Sequence, residues 1–220
     1  MIKTFYYNDL RTCCYIISDD SSECAIVDPG CYKESEKTRL VNYIESNSLK
    51  PKMILQTHGH FDHVMGNRFV ADKWSIPTYL NSGDLAQIRR SGSYGGYFGY
   101  EFDEPSDRII DIKDGDIVRF GNTELKVLAS PGHTAGGVLF YNEKEKYVIT
   151  GDTIFKGSIG RTDLPGGDYE TLMESLRTKV LTLPDDTVIY PGHGLPTDVA
   201  FEKSTNPFWT LDNIFRYGLD

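Results

Sequence analysis

The stretch ILQTHGHFDHVMGN, Ile54 to Asn67, places His58, His60 and His63 within six positions of a chain that has only five histidines. One glycine separates the first two, and Asp62 sits beside the third. Such a segment is either a histidine-rich polar turn or a preassembled set of metal ligands. The remaining histidines decide between these readings. The cluster follows the compact apolar run MILQT (53–57), which reads as a strand. His133 follows ELKVLAS in SPGHTAGG, and His193 follows TVIY in PGHG. Asp152 follows KYVIT in TGDTIF. Side chains at strand ends project from the edge of a sheet, so all of these can converge. Four of the five histidines adjoin glycine, which lets a backbone turn sharply and aim several side chains at one point.

Imidazole and carboxylate ligands suit zinc, and also iron or manganese. The motif contains no cysteine, so a thiolate site is not indicated. Five histidines with Asp62 and Asp152 exceed what one tetrahedral zinc takes. They match two divalent ions that share one carboxylate.

Outward from this cluster the chain alternates short strands and helices. CCYIIS (13–18) and CAIVD (24–28) read as paired strands joined by DDSSE, and Asp28-Pro29-Gly30 breaks the chain. Helical spacing of Leu40, Val41 and Ile44 predicts a helix over 33–46. Further helices are expected at 64–73, 82–89 and 168–181. Further strands are expected at 108–112, 117–120, 123–129, 138–141, 147–150 and 187–191. Two strand-rich halves with helices outside give an α/β fold of two stacked sheets, in one domain spanning 1–220. The segment SGSYGGYFGYEFDEPSD (91–107) shows neither helical nor strand period. With Tyr94, Tyr97, Phe98 and Tyr100 it reads as a lid over a pocket, or as a surface excursion or subunit contact.

The 220 residues, 39% hydrophobic and 25% charged, suffice for one sizeable core. A net charge of −9 repels phosphate backbones and argues against nucleic acid as a partner. No apolar run approaches the ~20 residues of a membrane span, and the N-terminus lacks a secretory signal, so the cytoplasm is expected. Cys13, Cys14, Cys24 and Cys31 lack zinc-finger spacing and read as buried thiols. The sequence carries no signal of oligomeric state.

The motifs H-G-H-F-D-H (58–63), G-H-T (132–134), G-D-T (151–153) and G-H-G (192–194) resemble, in order and spacing, the metallo-β-lactamase fold superfamily. SPGHTAGG (130–137), GDTIFKGSIGRTDLPGGD (151–168) and EKSTNPFW (202–209) are similar to its glyoxalase II-like hydrolase branch. The resemblance covers essentially the whole length. It implies an αββα sandwich of two mixed sheets with metals at one edge. It also implies that His58, His60 and His133 hold one ion, that Asp62, His63 and His193 hold the other, and that Asp152 bridges them. Asp163 and Leu195 stand where glyoxalase II carries tyrosines that contact glutathione. Its helical C-terminal domain is not expected here, where the stretch after NPFW leaves room for one helix.

The expected reaction is thioester hydrolysis on a small acyl-thiol. Two cations sharing a water bring its pKa from about 15.7 toward neutrality, and Asp62 and Asp152 would hold and orient it. A thiol with pKa of about 8.5 leaves without a dedicated acid. Arg161 is the candidate grip for a substrate carboxylate, the alternative being an ion pair with Asp163 or Asp168. Lys156 is a second candidate for that grip. The competing readings are a persulfide dioxygenase with one iron on His58, His133 and Asp152, a lactonase, and a metal-bearing binding domain.

Overall fold

Strand Thr12–Ser18 is buried at every position, and its alternation shows how the molecule is layered. Cys13, Tyr15 and Ile17 face one apolar cluster, while Cys14 and Ile16 face another. Successive side chains of a strand point to opposite faces. A continuous apolar run therefore marks a strand covered on both sides. The computed structural model describes residues 1–209, and the helix allowed for beyond NPFW lies outside them.

Six strands form the first sheet: β1 (Ile2–Tyr7), β2 (Thr12–Ser18), β3 (Glu23–Val27), β4 (Lys50–Leu55), β5 (Thr78–Leu80) and β6 (Ile109–Asp111), in spatial order β1-β2-β3-β4-β5-β6. The first three run antiparallel and the rest parallel. The second half contributes β7 (Ile117–Phe120), β8 (Thr123–Ala129), β9 (Val138–Asn142) and β10 (Tyr147–Gly151), a small hairpin β11 (Ile154–Phe155) with β12 (Ser158–Ile159), and then β13 (Val188–Pro191) and β14 (Thr197–Asp198). The second sheet is ordered β14-β13-β10-β9-β8-β7, with β10 and β13 parallel.

The core between the sheets joins Tyr15, Val27 and Leu55 from one side to Val127, Phe140 and Ile149 from the other. Outside the first sheet lie α1 (Glu34–Ser46), with Leu40 and Ile44 buried, and, after the short α2 (Phe61–Val64), α3 (Asn67–Trp74) with Val70 and Ala71 buried. The short α4 (Leu85–Ile88) and α5 (Ser91–Gly96) follow. Outside the second sheet lie α6 (Tyr169–Ser175), which continues into a π-helical turn over Leu176–Val180, and α7 (Val199–Thr205). Leu172, Leu176 and Val180 pack on Leu139 and Val148. The Asp168 side chain caps α6 by accepting from the Thr171 amide at 2.8 Å. The result is the four-layered αββα arrangement expected from the sequence. All four cysteines are free and buried.

Several expectations are corrected. The expected helix over 64–73 is α3, which starts later, at Asn67, with Met65 and Gly66 separating it from the short α2. β1 went unread because it is an edge strand that alternates exposed and buried positions, so it lacks the apolar density of its neighbours. β5 has only three residues, too few to show a period. The aromatic stretch is not irregular throughout. Its first six residues form α5, held by tertiary packing of Tyr94 and Phe98 on Phe61 despite three glycines, which disfavour helix. Among the described residues no helix is long and apolar enough to cross a membrane.

Phe140 is fully buried in the central core. Phe140→Ala should lower unfolding stability by about 3–5 kcal/mol, measured by chemical denaturation. A loss below about 1 kcal/mol would contradict the packing described.

Candidate metal centre

Every strand that precedes a candidate ligand ends at the same edge of the sandwich. β3 and β4 run parallel, as do β10 and β13, and β8 reaches β10 through two antiparallel pairings. Asp28 therefore follows β3, His58 follows β4, His133 follows β8, Asp152 follows β10 and His193 follows β13, all on one rim. The short helix α2 carries Asp62 and His63, with His60 just before it.

The ligand atoms of His58, His60 and His133 lie within 4.8 Å of one another, and those of Asp62, His63 and His193 form a second such group. Asp152 stands between them, with one carboxylate oxygen 3.3 Å from His63 Nε2 and the other 3.7 Å from His133 Nε2 and 3.6 Å from His193 Nε2. This crowding depends on Gly192, where an added Cβ would sit 2.0 Å from Asp152 Oδ1.

The hydrogen bonds of the far ring nitrogens define what the near ones can do. His133 Nδ1 lies 2.7 Å from the Arg161 carbonyl, and His193 Nδ1 lies 3.1 Å from the Leu10 carbonyl. A carbonyl only accepts, so both Nδ1 atoms carry hydrogen and both Nε2 atoms present lone pairs. His63 Nδ1 donates to Asp28 Oδ2 at 3.0 Å. His63 Nε2 then faces His193 Nε2 at 3.3 Å, and His133 Nε2 faces His60 Nδ1 at 2.9 Å. The facing lone pairs of His63 and His193 need a proton or a cation between them, whereas His60 Nδ1 can itself donate to His133 Nε2. His58 Nε2 and His60 Nε2 are buried without a hydrogen-bond partner. This donor set fits divalent ions.

Sequence reasoning missed two residues that hold the ligands in place. Asp28 accepts from Gln56 Nε2 and the Thr57 amide on one oxygen, and from Thr57 Oγ1 and His63 on the other. Through Thr57, whose Oγ1 lies 3.0 Å from His58 Nδ1, it also orients His58. Its signal was present, since it too follows a strand, but it read only as the start of a chain break. Asp84 accepts from the Gly59 amide, Thr134 Oγ1 and the Gly136 amide, which ties the His58–His63 turn to the His133 turn. Nothing in the sequence around Asp84 announces this. Thr12 Oγ1 donates to Asp62 Oδ2 at 2.7 Å.

The candidate substrate grips lie differently from the ligands. The guanidinium of Arg161 forks onto Asp163 through two bonds of 2.7 Å, in an exposed pair. Of the two readings of Arg161, the ion pair is the one present, and it occupies the fork assigned to a substrate. Lys156 is exposed and lies over the Phe201 ring.

Electrostatics divide the two ligand groups. Burial, with the neighbouring imidazoles adding to it, holds His58 well below the usual histidine range and His60 at about 3. Burial alone would raise Asp62, but the His63 charge and the His193 hydrogen bond outweigh it and leave the carboxyl at about 2. Asp152 is likewise held well below the carboxylate range, burial being outweighed by His63 and His193. His63 and His193 move upward, because their carboxylate partners overcome burial.

The sequence model of the metallo-beta-lactamase superfamily matches residues 8–193. The chain belongs to that superfamily. Within it, the chain is 42% identical over 198 residues to Probable metallo-hydrolase YqgX of Bacillus subtilis, covering 88% of this chain and 90% of YqgX. It is 38% identical over 198 residues to hydroxyacylglutathione hydrolase GloC of Haemophilus influenzae, covering 89% and 91%. The crystal structure of TTHA1623 in a di-iron-bound form superposes with a TM-score of 0.84 at 32% identity, covering 94% of this chain and 99% of that one. These metallo-hydrolase relatives and the histidine–aspartate cluster mark a metal-dependent hydrolase of this superfamily.

Two predictions follow from the site's geometry and charge. A protonated imidazole cannot ligate. His63 and His193 keep their protons to higher pH than His58 and His60, so falling pH should strip the Asp62–His63–His193 position first. Metal content of protein equilibrated from pH 8 down to pH 5 should fall toward half, and simultaneous loss of both ions would contradict this. Asp84→Ala should weaken metal affinity about 10–100-fold, read by titration against a competing chelator, with the fold retained.

Proposed function

We propose that the protein is a dinuclear metallo-hydrolase that cleaves small hydroxyacyl thioesters, with zinc as the working metal and iron as the alternative. One observation carries this reading. Two ligand groups adjoin across Asp152, and the lone pairs of His133 and His193 are turned inward by backbone carbonyls. One metal position would suffice for the iron dioxygenase reading, which leaves the Asp62–His63–His193 group unexplained. The likeness to GloC supports the thioester as substrate class.

Bound cations would supply an acidified water and a Lewis acid for the acyl oxygen. The chain's own residues do the rest. His58, His60 and His133 would hold one ion; Asp62, His63 and His193 would hold the other; Asp152 would reach both. With its pKa near 2, Asp62 is ionised at any working pH and accepts a hydrogen bond rather than storing a proton. It therefore orients the attacking water. Phe61, next to His60, carries an aromatic cluster in which Phe98 stacks on it, Tyr94 meets it edge-on and Tyr100 lies tilted, which limits access of bulk water. No proton donor for the leaving group is needed, because a thiolate departs unaided near neutral pH. Four free, buried cysteines fit a reducing compartment such as the cytoplasm.

Zinc-loaded protein should release free thiol from S-lactoyl thioesters, and a chelator should abolish the activity. Asp62→Asn should lower kcat by about a hundredfold or more, with KM changed far less. Lactone opening without thiol release would replace the thioester by a lactone. One iron per chain in native protein, with oxygen uptake on a persulfide, would move the reaction to oxidation on His58, His133 and Asp152.

A further inference from the structure

A groove of about 370 Å³ adjoins His60, within the size range of small-molecule pockets. Its walls are apolar or bare backbone: Phe61, Tyr94, Ala86, Ala135, Leu164 and Pro165. Polar groups are few. Ser91 is already engaged, its hydroxyl donating to the Ile88 carbonyl at 2.7 Å. That leaves Gln87 and Arg90 toward the outside.

Arg90 is unlike Arg161. Among the described residues its guanidinium makes no hydrogen bond or ion pair, whereas Arg161 is bound on both prongs by Asp163. An unpaired guanidinium at the mouth of an apolar groove, on a chain of net charge −9, is an uncompensated local cation. The groove is also built on a fixed support. The helix that carries Ala86 and Gln87 follows Asp84 directly, and Asp84 is bonded to both ligand turns. Its inner end is therefore held in register with His60.

We propose that this groove binds one arm of the substrate, an apolar body ending in a carboxylate, and that Arg90 determines specificity by forking onto that carboxylate. This rests on the hydrolase reading for the position of the scissile bond. It adds the class of substrate: the arm is apolar and anionic rather than a polar peptide, which would leave its amides unpaired against these walls. A planar guanidinium matches a carboxylate through two parallel bonds.

The test uses full-length zinc-loaded protein and a matched pair of thioethers that cannot be hydrolysed, 4-(methylthiomethyl)benzoate and its carboxamide. Calorimetry should give about tenfold tighter binding of the acid. Arg90→Gln should bring the acid-to-amide ratio to about one, and Arg90→Lys should restore part of it. Rising salt should shrink the preference in wild type only. Equal binding of acid and amide, no binding of either, or a preference that survives in Arg90→Gln would overturn the assignment. Thioester turnover is measured separately on the S-lactoyl thioesters of 4-(mercaptomethyl)benzoate and its amide. Turnover without acid preference sinks the groove and leaves the hydrolase. Arg90-dependent binding without turnover does the reverse. Thermal melting of each variant confirms that the exposed substitution leaves the fold intact.

Discussion

Two imidazole nitrogens that face each other at 3.3 Å, each with its far nitrogen committed as a donor, are the constraint around which this molecule is arranged. His63 and His193 cannot hold that geometry as two bare lone pairs. Positive charge must lie between them. Asp62 and Asp152 surround the pair with carboxylate oxygens at 3.2–3.6 Å, so the pocket is a preformed cradle for cations. A buried carboxylate cluster without compensation is costly, and here the compensation is either imidazolium or metal.

The fold makes this cradle possible through direction more than through packing. Parallel pairing of β3 with β4 and of β10 with β13 brings the ends of distant strands to one rim. The apolar faces between the sheets then fix how far apart those ends stand. Asp28 and Asp84 convert that coarse placement into orientation. Each is a buried carboxylate saturated by donors from the ligand turns themselves, so a shift of either turn would break several charge-assisted bonds at once.

The sandwich and all seven proposed ligands could be read from the sequence because their signals are local. Apolar runs bounded by turns marked the strands buried on both faces, and each ligand followed such a run. Asp28 obeyed the same rule, yet its role lies in bonds to Thr57 and His63, residues 29 and 35 positions away, which no local pattern encodes. Asp84 sits in a turn without distinguishing neighbours. For Arg161 the sequence offered two carboxylate partners, a substrate or a nearby aspartate, and the structure shows the guanidinium on Asp163, two residues along the chain. β1 and α5 were obscured for opposite reasons. One is half exposed, and the other is a glycine-rich helix imposed by aromatic packing that intrinsic propensity opposes.

The division of the ligands between the sheets has a consequence for how the protein comes into being. His58, His60, Asp62 and His63 belong to the first half, while His133, Asp152 and His193 arrive from the second. Neither ion position is complete within one half. During synthesis the proposed His58–His60–His133 position would wait for residue 133, and the Asp62–His63–His193 position for residue 193 and the docking of β13 beside β10. On the proposed ligand set, metal capture would follow synthesis of the second half, and each ion would rivet one sheet to the other.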